Sequence, residues 1–161
     1  MEKQFVTYQQ AKDLKEIGFD DLCFGQYENE SKILSINFNN TPLTDDQKKR
    51  PVLYSNEIKN STVPQWAIAA PLKQQFFDWV SEKFNIDCYV KPDLIEESRR
   101  KVYDYYIWFP EDGEEDSLDL SIGMNNEYTR DEAESACIDE AIKRIKDKLK
   151  DHESLINKSI D

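Results

Sequence analysis

The densest group of potential ligand atoms in the chain is the stretch "PEDGEEDSLDL", Pro110 to Leu120, with six acidic side chains between Glu111 and Asp119 and no base among them. Oxygen atoms at such density can ligate a hard cation, imitate a phosphate backbone or meet a basic protein surface. An EF-hand loop with Gly113 in its sixth place needs oxygen ligands at Trp108 and Pro110, and neither side chain supplies one. Calcium ligation therefore fails on spacing. Pro110-Glu111-Asp112-Gly113 is turn chemistry, with glycine free to take positive φ, and it lies between two strand-like runs. The stretch reads first as the solvated tip of a β-hairpin. Its second reading is a protein-binding or nucleic-acid-mimicking patch carried by Glu111, Asp112, Glu114, Glu115 and Asp116.

Catalytic constellations are hard to assemble from the remaining residues. The single histidine, His152, falls in a polar tail, so histidine triads and multi-histidine metal sites have no material. Only four glycines are present, and neither a P-loop nor a dinucleotide-binding glycine motif occurs. Cys23, Cys88 and Cys137 are widely spaced with no CxxC pair, which suits small buried thiols in a reducing compartment better than nucleophiles. Carboxylates are so abundant that spacing singles out no acid–base pair. No catalytic, cofactor-binding or metal residue is expected, and no cofactor.

The balance of charge is −12 over 161 residues, a field that repels phosphate backbones and anionic membranes. The one basic run, "KRIKDKLK" at Lys143–Lys150, suits the last turns of a helix. No apolar stretch has the length of a membrane span, and "MEKQFVTYQQ" lacks the pattern of a signal peptide. The expected partner is a protein rather than nucleic acid or membrane, in the cytoplasm.

The elements that would carry these residues are legible by period. In "VTYQQAKDLKEIGFD", Thr7 and Gln10 form a capping box, Val6 and Ala11 a hydrophobic staple, and Gly18 a left-handed stop with Phe19 packing back. "LCFGQY" and "KILSINFNN" read as strands joined by the turn "ENES". Residues 39–63 are polar and rich in breakers, and read as a long loop with a short strand at "PVLYS". "AAPLKQQFFDWVSEKFNI" reads as a helix with Pro71 in its first turn and a stripe of Leu72, Phe76, Val80 and Phe84, widened by Phe77 and Trp79. "IDCYV" is a strand. "YDYYIWF" is apolar at both parities, which predicts a strand covered on both faces or central in its sheet. "SLDLSIGM" alternates as a further strand. Thr129 and Glu132 cap a last helix, with Ala133, Cys137, Ala141, Ile145 and Leu149 along one face.

The expected fold is α+β: a mainly antiparallel sheet with about three helices packed on it, in the order α-β-β-(loop)-α-β-β-β-α. One domain over residues 1–150 and a polar tail over 151–161 are expected. Residues 70–149 repeat the element order of a double-stranded-RNA-binding domain, but the acidic hairpin stands where phosphate-binding lysines are needed.

Three segments carry a resemblance: "FVTYQQAKDLKEIGFDDLCFGQY", "AAPLKQQFFDWVSEKFNI" and "EYTRDEAESACIDEAIKRI". In that order they resemble a family of small uncharacterised proteins of bacteriophages and prophage-like elements, whose text runs like TYEQA-LKELGFDEPCF, APL-QQ-FRWFREKYGL and YEEAE-ACL-KLI. The match covers about sixty residues. Leu22 stands where proline is common in that family, and Lys73 where an aromatic is common. The resemblance implies a phage or prophage origin, with the protein expected in the cytoplasm of the bacterial host, and carries over no site. Its recurring residues here, Phe19, Cys23, Phe24, Leu72, Phe76, Trp79, Ala133 and Cys137, read as caps and core.

These observations favour a non-enzymatic phage-type accessory protein that binds another protein, in host takeover or counter-defence. A structural or virion-associated protein is the first alternative. A small-ligand binder or minor hydrolase with an aromatic-lined pocket is the second.

Overall fold

The structure, a computed structural model, describes residues 2–36, 58–95, 100–108 and 128–158. The chain divides into two compact units, Met1–Leu72 and Lys73–Asp161. Each has helix packed on antiparallel sheet, so the fold is α+β as its element order predicts.

In the first unit, helix α1 (Tyr8–Glu16) begins at Thr7, whose Oγ1 accepts from the Gln10 N–H at 3.3 Å. The Thr7 N–H donates to Gln10 Oε1 at 2.8 Å, completing the capping box and satisfying two otherwise orphaned donors. The helix stops at Gly18, with φ 86. Phe19 N–H returns to Leu14 O at 2.9 Å and Gly18 N–H to Lys15 O at 3.2 Å, a Schellman closure that buries Phe19.

Strands β1 (Gly25–Glu28), β2 (Leu34–Ile36) and β3 (Ala67–Ala70) form a sheet in the order β2-β1-β3. The β1–β2 hairpin follows the sequence pattern, but β3 does not: Ala69 and Ala70 were expected to open the second helix, and are strand instead. All four of its residues are buried, and α1 lies against the strand. Pairing with β1 outweighs the helix preference of alanine, and the small side chains admit the helix closely. Pro71 is accordingly not in a helical turn; its carbonyl accepts from the Val6 N–H at 3.1 Å, and Leu72 forms a bridge with Phe5. Gly25 is needed for clearance, since a Cβ there would lie 2.9 Å from the Phe5 ring.

Of the long polar loop, residues 58–63 are tied down. Ile58 bridges Cys23, and the Asn60 amide donates to Phe19 O at 2.8 Å while accepting from the Ala69 N–H at 3.1 Å. Asp20 accepts from the Ser61 N–H at 2.6 Å. The rest of that loop, with "PVLYS", lies outside the described residues, as does "SLDLSIGM".

In the second unit, helix α2 spans Lys73–Phe84, with Phe76, Trp79 and Val80 buried. Burial of each such side chain contributes roughly 1.5–3 kcal/mol. Asn85, at φ 54, ends it in the left-handed region that asparagine tolerates. Strands β4 (Asp87–Ile95) and β5 (Arg100–Trp108) pair antiparallel from Asp87–Trp108 to Ile95–Arg100. Thus β4 continues through Pro92, beyond the expected end of the strand.

Helix α3 spans Arg130–Lys158 and runs past Lys150 into what reads in sequence as tail. Thr129 N–H donates to Glu132 Oε2 at 2.8 Å, the expected cap. Ala133, Cys137, Ile138, Ala141, Ile142 and Ile145 are buried, but Leu149, assigned to the same stripe by its spacing, is 42% exposed. The packed face therefore ends about one turn earlier than the apolar period does.

Lys73, the first residue of α2, is 5% exposed. Its Nζ is ion-paired with Asp131 Oδ1, donates to Asp131 O at 3.3 Å and lies 3.7 Å from Glu134 Oε2. Glu134 is held in turn by Arg130 at 2.8 Å. The position where the resembling family prefers an aromatic is thus a buried ammonium clasped by the first turns of α3.

Removing Asp131 leaves that ammonium short of acceptors. Asp131→Ala should cost on the order of 2–4 kcal/mol, below the top of the range for fully buried pairs because the Asp131 side chain is 44% exposed. Lys73→Met keeps the packing and removes the charge, so it should cost less than half as much in urea unfolding. In the first unit, hydrogen bonds from the Ser61 side chain and then its backbone hold the Asp20 carboxyl below its ordinary 3.8. A depressed folded-state value means stabilisation present above 3.8 and lost as pH falls through the lower folded value. The stability difference between wild type and Asp20→Asn should be constant near neutrality and shrink toward zero below pH 3.8, read as urea midpoints across that range.

Candidate functional site

A strand pair presents alternate residues to opposite faces, so the β4–β5 register sorts its side chains without ambiguity. Cys88 faces Ile107 and Val90 faces Tyr105 on one side; Asp87 faces Trp108, Tyr89 faces Tyr106 and Lys91 faces Asp104 on the other. Helix α3 lies against both strands and α2 against β4. Tyr105 and Ile107 are buried on the covered side.

The opposite side is open at the Tyr89–Trp108 end. Tyr89 and Tyr106 stack with ring centroids 5.0 Å apart and planes 13° apart. Tyr89 is 52% exposed and Trp108, beyond the pair, 42%. Asp87 and Lys91 are exposed beside them, so charges of both signs rim the rings. The far end of the same face closes where Val102 is buried. Two stacked rings and an indole on paired strands are already ordered, so contact through them forfeits little rotamer freedom. The arrangement offers flat apolar area, an indole donor and two phenol hydroxyls, which suits non-covalent contact.

One face is covered and the other is not, where cover on both faces or a central place in the sheet was expected for "YDYYIWF". Apolar content at both parities does not require burial at both parities, because large aromatic residues also occur on exposed surfaces. Residue type separates the parities only weakly, since Tyr105 and Tyr106 carry the same phenol and only Trp108 against Ile107 differs in polarity. The acidic candidates Glu111, Asp112, Glu114, Glu115 and Asp116 lie outside the described residues, although in the chain they begin three positions past Trp108.

Elsewhere the reactive groups are muted. Cys23 is buried and its thiol is pushed up to about 12 by burial and then by Asp21 and Asp20, so it is not a nucleophile at neutral pH. Most of the recurring residues of the resemblance, Phe19, Cys23, Phe76, Trp79, Ala133 and Cys137, are core, but Phe24 is 40% exposed and Leu72 only half-buried. Among the described residues no group of three or more His, Cys, Asp or Glu side chains gathers as a metal site, and no helix is long and apolar enough to cross a membrane. No protein-family model, curated protein or solved structure matches the chain.

Proposed function

We propose that this chain is a non-enzymatic accessory protein of phage type that acts by binding another protein through the open face of the β4–β5 hairpin. The observation that carries the reading is the Tyr89–Tyr106 stack, exposed at Tyr89 and half-buried at Tyr106, with exposed Trp108 next along the same face. Tyrosine and tryptophan are the residues most enriched where protein interfaces concentrate their energy. The partner has a basic surface, because the chain carries −12 and its densest acidic run starts just beyond Trp108. Aromatic platforms on sheets also stack single-stranded nucleic acid, but such sites need a cationic groove to track phosphates, and the charge here has the opposite sign. The phage resemblance supports a role against a host protein, in takeover or counter-defence.

The test is capture of partners from bacterial lysate with the tagged protein, read by mass spectrometry and paired with its solution mass. Tyr89→Ser and Trp108→Ala should each weaken a stoichiometric partner about tenfold or more at all salt concentrations. Neutralising Glu114, Glu115 and Asp116 should slow association at low salt and lose its effect as salt rises. A partner indifferent to both sets of changes, tight binding of a single-stranded oligonucleotide, or a mass that climbs with concentration would each overturn the assignment.

A further inference from the structure

Three cysteines are present, and two of them meet. Cys88 lies on β4 on the helix-covered side, in register with Ile107. Cys137 is on α3, and its Sγ donates to the carbonyl of Tyr106, the neighbour of Ile107, at 3.9 Å. Both thiols thus sit over the same step of the hairpin. Cys88 is half-buried and Cys137 fully buried. The hydrogen bond with Cys88, followed by burial, raises the Cys137 thiol far above its ordinary value, so it waits as a neutral thiol. Cys23, by contrast, is paired with no sulfur: its Sγ donates to Asp21 O, in the other unit of the chain.

We propose that Cys88 and Cys137 are a peroxide-reactive dithiol, oxidised to an intramolecular disulfide that joins β4 to α3. Cys88 is the sulfur a small oxidant reaches. Its sulfur attacks one oxygen of a hydroperoxide, the O–O bond breaks, and the departing alkoxide or hydroxide takes the Cys88 thiol proton to leave as alcohol or water, so that Cys88 becomes a sulfenic acid. Cys137 is no free nucleophile either; held against the sulfenic acid, it passes its proton to the departing oxygen as its sulfur attacks that of Cys88. The S–S bond forms, the S–O bond breaks, and hydroxide departs as water with the Cys137 proton. The two-electron oxidation of the dithiol balances the two-electron reduction of the peroxide. Thiol–disulfide exchange with a dithiol reductant returns the pair to its starting state. The site is independent of the binding reading, since it lies on the opposite side of the hairpin from Tyr89.

The experiment treats the native, fully reduced full-length chain with stoichiometric hydrogen peroxide, then counts free thiols and maps linked peptides without reduction. Free thiols should fall from three to one, with Cys88 and Cys137 peptides joined within one chain, and dithiothreitol restoring all three. Cys88→Ser, a half-exposed position that leaves the core intact, should keep both of its remaining thiols free of disulfide. Retention of three thiols under peroxide, a link through Cys23, a link between chains, or pairing seen only after denaturation would overturn the proposal.

Discussion

An ammonium group cannot stay buried without anionic acceptors, and that requirement ties the two helices of the second unit together. Lys73 opens α2, where the helix dipole disfavours a cation. Asp131 and Glu134 stand in the opening turns of α3, where the dipole favours anions. Bringing the two beginnings together turns an unfavourable placement into a satisfied one. A hydrophobic contact at this point would tolerate sliding; an ion pair with a backbone acceptor at 3.3 Å does not. The covered side of the hairpin follows from it, because the helices fixed there supply Phe76, Val80, Ile138 and Ile145 to the core.

A two-stranded hairpin is marginal in water without cover on one side. Once one side of β4–β5 is covered, pleating leaves every second residue on the other. A solvated face would carry threonine, lysine or glutamate there. This one carries Tyr89, Tyr106 and Trp108 toward its open end, with rings stacked rather than scattered. The covered side supplies the hairpin's stability, so the open side is not needed to bury apolar area for the fold. The same division places Cys88 and Cys137 in the packed layer and the tyrosines outside it.

Local signals were the readable part of the sequence. The Thr7 and Thr129 caps and the Gly18 stop rest on contacts three to five residues apart, and each stands where its pattern puts it. Non-local decisions were not readable. The strand Ala67–Ala70 exists because β1 pairs with it across the sequence, and four small residues carry no period of their own. The two-faced character of β5 depends on which parity the helices cover, a matter settled by α2 and α3 rather than by "YDYYIWF". The Lys73 site was visible only as a departure from the resembling family, since its partners lie 58 residues or more away. The acidic candidates, prominent in sequence, fall where no position is described, so their role rests on charge alone.

Charge and aromatic surface together narrow what the open face can recognise. Stacking rings accept any flat apolar partner, so they supply affinity without much discrimination. In the proposed binding role, discrimination would come from the field, because a net charge of −12 disfavours phosphate and favours lysine- and arginine-rich surfaces. Arginine suits such a face in particular, because a guanidinium stacks on a tyrosine ring while pairing with a carboxylate such as Asp87 beside it. A partner with arginines set among apolar residues would meet both features at once, whereas a polyanion would meet one and be repelled by the other.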